Sequence, residues 1–100
     1  MKTRTIIINV TARDIREAHL QMNYGNSRHC PVARAFQRAL KNKLVGITHL
    51  DWWVDSVKMG KLPEEVTYFI QAFDRKETGL KPQKFKVQVP EEAVLRRLVD

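Results

Sequence analysis

Apolar and polar residues follow one another along the chain with two periods, and these periods predict eight elements of secondary structure. A period of two residues predicts a strand, whereas apolar positions three and four residues apart predict a helix. Residues 5–10 form the first predicted strand, in which Ile6, Ile8 and Val10 share one face. Ile7 adds an apolar side chain to the opposite face. We therefore expect this strand to be central in its sheet, or to be covered on its far side.

The second predicted element is a helix whose start is marked by polar residues. Thr11 and Asp14 have the spacing of a capping box, in which each side chain accepts a hydrogen bond from the backbone N–H of the other residue. The helix is expected to end near Gln21. Residues 22–29 then form a connection rich in turn-forming residues. This connection is too long for a helix-turn-helix, whose turn takes about 3–4 residues.

Residues 30–43 predict the helix around which the fold is organised. Pro31 suits the first helical position, where its missing N–H costs nothing, so Cys30 becomes the N-cap. The apolar stripe of this helix consists of Val32, Phe36, Ala39 and Leu40. The opposite side carries three cations, namely Arg34, Arg38 and Lys41. The helix is therefore expected to bury one side and to present a line of positive charge on the other.

Two strands are predicted after this helix. They cover residues 44–49 and 52–57, with a tight turn around Leu50 and Asp51, although a single longer strand fits the same pattern. Residues 59–61 interrupt the alternation, so we expect the chain to leave the sheet there.

A helix, a strand and a last helix complete the prediction. The helix begins with Pro63 at its first position, followed by acidic residues that favour a helix N-terminus. Its apolar stripe consists of Val66, Phe69, Ile70 and Phe73. Residues 84–89 alternate strictly and direct Phe85, Val87 and Val89 inward. A short helix after Pro90 then buries Val94, Leu95 and Leu98.

The predicted order β-α-α-β-β-α-β-α mixes helices with short strands. Such an order favours an α+β fold, in which a mostly antiparallel sheet of about four strands has its helices packed on one face. Residues 1–100 are expected to form a single domain, because the chain of 100 residues has an ordinary domain length.

Composition and charge narrow the class of protein. The single cysteine excludes an intramolecular disulfide and fits a reducing compartment. The apolar run at residues 6–8 is too short for a signal peptide or a membrane span, so we expect a cytoplasmic protein without a membrane partner. Lysine and arginine number 18 against 11 acidic residues, which gives a net charge of +7. Such an excess attracts polyanions.

Several segments resemble a group of short proteins that bacteriophages and prophages encode. They are residues 6–11 followed by Asp14-Ile15, Cys30-Pro31-Val32-Ala33 with Ala35, Leu62-Pro63 before a helix with Phe69-Ile70 and Phe73-Asp74, and the strand around Phe85. The group has no settled activity, so the resemblance implies no catalytic residues. It implies a small protein of a mobile element in a bacterial host. Such proteins often bind a host machine, and some are anti-CRISPR inhibitors of defence complexes.

Cys30 is the sharpest candidate for chemistry, because a helix N-terminus can lower the pKa of a thiol and His29 is adjacent. Neighbours in sequence usually point apart, however, and free cysteine is commonly buried. We therefore favour a packed, inert cap over an enzyme. His19, His29 and His49 lack the paired spacing of a zinc site. Neither a metal nor a cofactor is expected.

Trp52 and Trp53 are consecutive in a predicted strand, so their side chains are expected on opposite faces. One of them enters the core, and the other becomes an anchor for a partner or a platform for an unpaired base. If Lys84 and Lys86 share that outer face, the surface follows the logic of sheet-based RNA readers. The alternatives are a tryptophan covered by the last helix, or by a second copy in a homodimer.

These observations favour a non-enzymatic binding protein of the phage type whose basic surface engages an acidic partner. Arg28 and Lys43 extend the basic line of the central helix at its two ends. The partner is nucleic acid, a nucleoprotein complex or an acidic protein face. Inhibition of a host defence nucleoprotein is the preferred role, direct DNA or RNA binding is the alternative, and a Cys30-dependent enzyme ranks below both. The residues expected to contact the partner are Arg28, Arg34, Arg38, Lys41, Trp52, Trp53, Lys84 and Lys86.

Overall fold

The structure is a computed structural model that describes residues 3–91. Its helices are α1 (Ala12–Leu20), α2 (Pro31–Leu40) and α3 (Glu64–Asp74). Its strands are β1 (Thr3–Val10), β2 (Val45–Ile47), β3 (Asp51–Val54), β4 (Val57–Lys61) and β5 (Gln83–Pro90). The last predicted helix, with Val94, Leu95 and Leu98, lies outside the described residues.

Within residues 3–91, five strands form two antiparallel sheets rather than one sheet of about four strands. β1 pairs with β5, and the second sheet has the order β2-β3-β4. Some Cα atoms of β4 and β5 lie within 8 Å of each other. The two described strands are nevertheless not paired by backbone hydrogen bonds, so the two sheets remain separate. Helices and strands are mixed along the chain, so the predicted α+β class is confirmed. No helix of the described part combines the length and the apolar character that a membrane span needs.

The second sheet contains a strand that the sequence pattern does not predict. β3 ends at Val54, and the chain reverses through Asp55 and Ser56, whose φ angles are 50° and 65°. Val54 pairs with Val57, so the loop has two residues, both with the positive φ of a type I′ hairpin turn. The strand predicted over residues 52–57 is therefore wrong beyond Val54. β4 occupies the segment where the pattern predicts a break.

The helices bury their apolar stripes in one core. On α2, Val32, Phe36 and Leu40 are buried, as predicted, and Ala39 is partly buried. α3 adds its predicted stripe of Val66, Phe69, Ile70 and Phe73. Each large apolar side chain that leaves water stabilises the fold by about 1.5–3 kcal/mol. The stripe of α2 therefore anchors the domain, as its sequence pattern indicates.

The predicted helix starts are confirmed for α1 and α2. Thr11 and Asp14 form the capping box, with N···O distances of 2.9 and 3.1 Å for the two reciprocal hydrogen bonds. Cys30 is the N-cap of α2, and Pro31 is its first residue. In α3, Pro63 is the N-cap instead of the first helical residue, which moves the start by one position.

β1 is not the central strand that Ile7 indicates. Among the described residues β5 is its only partner strand, and the Ile7 side chain is 50% exposed. Ile8 and Val10 on the other face are buried, as predicted. Ile7, the apolar residue on the outer face of β1, is therefore half exposed.

Candidate partner-binding surface

The two tryptophans lie on opposite sides of β3, as predicted. Trp52 is 1% exposed, and its ring centroid lies 5.0 Å from that of Phe36 in the core. Trp53 is only partly buried, and its indole Nε1 lies 3.4 Å from Thr48 Oγ1. Trp52 is therefore a core residue, and the predicted partner contact by this side chain is wrong. Trp53 is the tryptophan that a partner can reach.

Trp53 lines a groove of about 290 Å³ at the outer side of the second sheet. We call it the Trp53 groove, and its lining residues are Ser27, Arg28, Leu44, Gly46, Ile47, Thr48, Trp53 and Ser56. Gly46 is the cross-strand partner of Trp53. A Cβ atom at Gly46 would stand 4.0 Å from Arg28 Cγ. The absence of a side chain at Gly46 therefore leaves the space between the arginine stem and the tryptophan open.

The backbone around Arg28 is held in place by hydrogen bonds to two elements. The Ile47 N–H donates to the Ser27 carbonyl at 2.7 Å, so the loop runs along the outer edge of β2. On α2, the Gln37 side chain donates to the carbonyls of Arg28, at 2.7 Å, and Val45, at 3.1 Å. These contacts fix the place of Arg28 beside the tryptophan, although 25 residues of sequence separate them.

The predicted basic line on α2 is interrupted at Arg38. Its guanidinium donates to both carboxylate oxygens of Asp14 at 2.8 Å, and to the Asn9 carbonyl at 2.9 Å. Asp14 is buried, whereas the Arg38 side chain is 53% exposed. The charge of Arg38 is therefore neutralised by the protein's own carboxylate. We correct its predicted role from partner contact to a link between α1, α2 and β1.

The other cations in and just after α2 keep their charge available. Arg34 donates to two neutral oxygens, Gln21 Oε1 at 2.8 Å and the His29 carbonyl at 3.0 Å. Lys41 is exposed at the C-cap, where its φ of 52° turns the chain away from the helix. Lys43 and Arg34 line a cleft of about 540 Å³ between α1 and α2. Among residues 3–91, no carboxylate forms an ion pair with any of these three cations.

Lys84 and Lys86 lie in the other sheet. In β5, Lys84 is opposite Asn9 and Lys86 is opposite Ile7 of β1. Trp53 belongs to β3, which pairs with β2 and β4. The condition for the RNA-reader arrangement, a sheet face shared by the tryptophan and these two lysines, is therefore not met. The structure instead brings Trp53 together with Arg28, which the sequence places in a distant loop.

Cys30 is a packed cap. Its thiol is 4% exposed, and its Sγ accepts a hydrogen bond from the Ala33 N–H at 3.4 Å. Burial raises the pKa of the Cys30 thiol to about 11, against a smaller lowering by the backbone N–H groups of the helix start. His29 is exposed and its ring lies against Asn26, with Nδ1 3.1 Å from Oδ1. The adjacent histidine is therefore not positioned as a base for this thiol.

We predict that Cys30 reacts slowly with iodoacetamide in the native protein at neutral pH. A thiol with a pKa near 11 is almost wholly protonated there, and only the thiolate is an effective nucleophile. Mass spectrometry of timed samples gives the rate. The same chain in denaturant is the control, because it exposes the thiol. Native labelling as fast as in the unfolded chain would contradict the buried cap.

The histidines are dispersed over three small clusters. His19 Nδ1 lies 2.8 Å from Tyr24 Oη, and His49 Nε2 lies 3.4 Å from Asp74 Oδ2. His49 and Asp74 line the same cavity as Cys30, of about 410 Å³, but there the imidazole faces the carboxylate. Within the part of the chain that the structure describes, no group of three or more such side chains is arranged to hold a metal ion.

Comparisons with protein-family models, with curated proteins and with solved structures find no match to this chain.

Proposed function

We propose that this protein is a non-enzymatic binding protein, and that single-stranded nucleic acid is the acidic partner that it engages. The observation that carries the proposal is the Trp53 groove, where a partly exposed indole and the exposed Arg28, which forms no ion pair within residues 3–91, stand on either side of Gly46. Proteins that bind unpaired strands combine aromatic rings, on which bases stack, with cations that track the phosphates. The groove contains one of each.

Arg34 of α2 and Lys43, which follows this helix, extend the surface. Gln37 lines the cleft with Arg34 and Lys43, and its side-chain amide bonds the Arg28 carbonyl, so the cleft adjoins the groove. Lys43 is followed directly by Leu44, which lines the groove. A strand that stacks one base on Trp53 can therefore continue along Arg34 and Lys43. Each phosphate contact contributes through the release of counterions.

The buried Cys30 favours a binding role over an enzymatic one. Its protonated, buried thiol is unsuited to nucleophilic attack, so the Cys30-dependent enzyme ranks below binding. The resemblance to phage proteins supports a bacterial setting. There, RNA or DNA exposed by a host defence complex would present the same bases and phosphates, so inhibition of such a complex is a role that this surface could serve.

The test is a fluorescence titration of the protein with a short oligothymidylate at several salt concentrations. Stacking on Trp53 should quench its emission, while Trp52 in the core provides a constant background. We expect Trp53→Ala to weaken binding about tenfold or more, because stacking of a base on an aromatic ring contributes about 1–3 kcal/mol. Arg28→Glu should weaken binding and reduce the salt slope by about 0.7 for each lost phosphate contact.

The matched control is Lys81→Glu, which changes the net charge by the same amount. Lys81 is exposed in the connection between α3 and β5 and does not line the groove. We expect this variant to bind nearly as the wild type does. If polyglutamate binds as tightly as the oligonucleotide and Trp53→Ala has no effect, the partner is an acidic protein face. Equal losses for Arg28→Glu and Lys81→Glu would reject the groove as the contact.

A further inference from the structure

The outer edge of β1 carries backbone groups that have no partner strand among residues 3–91. In an antiparallel strand, the N–H and C=O of alternate residues point to the same side. The Asn9 carbonyl accepts a hydrogen bond from Arg38 of α2, and Pro90, which has no N–H, is opposite Thr3 in β5. Both observations fit a ladder in which the even-numbered residues of β1 bond β5 and the odd-numbered residues face away from it. These residues are Thr3, Thr5 and Ile7, followed by Asn9.

Between Thr3 and Ile7 this edge has few of the devices that normally keep a strand from pairing with another chain: Arg4 is its one charged side chain, and α2 bonds the edge only beyond this segment, at Asn9. Such devices are proline, charged side chains, bulges, or a helix or loop that covers the edge. The register of β1 with β5 runs without a shift from Thr3 to Val10. Thr3, Thr5 and Ile7 are uncharged and β-branched, and all three are exposed. Ile6, on the inner face, is only partly buried, so this end of the ribbon is also incompletely covered on its core side.

We propose that β1 pairs antiparallel with β1 of a second copy of this chain around a two-fold axis at Thr5. In this register Thr5 faces its own counterpart, and Thr3 faces Ile7 of the second copy. Each facing pair exchanges two hydrogen bonds, so the three pairs make about six. A two-fold interface is self-complementary, and one free edge per chain is all that it requires.

The position of Arg38 favours the register with the two-fold axis at Thr5 over the register with the axis at Ile6. A shift of the axis to Ile6 would place Asn9 opposite Thr3 of the second copy, at the position where the Arg38 guanidinium already lies against the Asn9 carbonyl. The axis at Thr5 uses only positions 3, 5 and 7. It also accounts for Ile7, whose apolar side chain gains a neighbour in Thr3 of the second copy and becomes part of a four-stranded sheet.

The first test is the oligomeric state of the full chain by sedimentation velocity over a range of concentrations. We expect a species of twice the 11.7 kDa of one chain. Thr5→Pro should give a monomer, because proline removes the donor on the free edge but no bond of the β1–β5 ladder. Thr5→Val is the matched control: both variants lose the hydrogen bond that Thr5 Oγ1 accepts from Gln88, but valine keeps the N–H. The valine variant should remain a dimer.

The second test reads the register by oxidation of single-cysteine variants at the edge, while buried Cys30 stays unreactive. Facing Cα atoms of a hydrogen-bonded pair lie about 5.5 Å apart, which a disulfide can span. Thr5→Cys should therefore cross-link, whereas Thr3→Cys should not, because its counterpart lies about 13 Å away along the strand. A wild-type chain that remains monomeric at every concentration would overturn the proposal. So would cross-linking of Thr3→Cys in place of Thr5→Cys, or an unchanged dimer in a folded Thr5→Pro variant.

Discussion

Trp52→Ala is expected to lower the free energy of unfolding by about 3–5 kcal/mol, the range for the loss of a large aromatic side chain from a packed core. Trp52 is 1% exposed and packs against Phe36 with ring centroids 5.0 Å apart. Gly60 stands so close that a Cβ there would lie 3.2 Å from the indole Nε1. The indole therefore fills the space against β4, and its removal should leave a cavity. Urea unfolding followed by circular dichroism measures the loss.

Trp53→Ala is the matched control for this prediction, since it removes the same side chain from the next residue. We expect a smaller loss of about 2 kcal/mol, because the indole is partly exposed in the groove and gives up less apolar area than the buried Trp52. The two variants should therefore separate stability from binding: Trp52→Ala weakens the fold, and Trp53→Ala weakens oligonucleotide binding. Equal stability losses would contradict the burial of the two rings.

Asp14→Ala is expected to cost about 2 kcal/mol of stability, the second largest effect. The carboxylate completes the capping box of α1 through the Thr11 N–H and also accepts two hydrogen bonds from Arg38. Burial alone would raise the pKa of Asp14, but the hydrogen bonds from Arg38 and Thr11 outweigh it and lower that pKa. The contribution of Asp14 is therefore complete above the pKa of the unfolded chain, near 4, and is lost as the pH falls through the lower folded value.

Arg38→Gln provides the control for the pH dependence. It removes the ion pair and keeps the capping box, so we expect a loss of less than about 1 kcal/mol at neutral pH, because the arginine is largely in solvent. The pKa of Asp14 should rise in this variant, which moves its contribution to acid unfolding toward higher pH. Acid titrations of the wild type and both variants, followed by circular dichroism, measure these changes. An Asp14→Ala chain that unfolds in acid as the wild type does would contradict the lowered pKa.

The helices could be predicted from the sequence because their signals are local. The Thr11–Asp14 box and the Cys30–Pro31 start each depend on residues within one turn, and the structure contains both. β4 could not be predicted, since its hairpin turn places positive φ at Asp55 and Ser56, where the usual signal is Asn-Gly. Without that signal, alternation through Val57 indicates one longer strand.

The candidate site was predictable only in part, for the same reason. The alternation of Trp52 and Trp53 is a local property of a strand, and it holds in the structure. The place of Arg28 beside Trp53 depends on a loop that pairs with the edge of β2. The neutralisation of Arg38 depends on Asp14, which lies 24 residues earlier on another helix. Both contacts join residues of different elements, so the hydrophobic periodicity of a single helix or strand cannot predict them.

The pairing of β1 with β5 sets the order of events when the chain is synthesised. Thr3 is opposite Pro90, so the first strand emerges from the ribosome long before its partner exists. Until then the segment Thr5-Ile6-Ile7-Ile8 has both of its edges open. Contacts so distant in sequence also form late in refolding, after the loop between them has closed. A nascent chain of this protein therefore carries β1 without its partner strand until residues 83–90 have been synthesised.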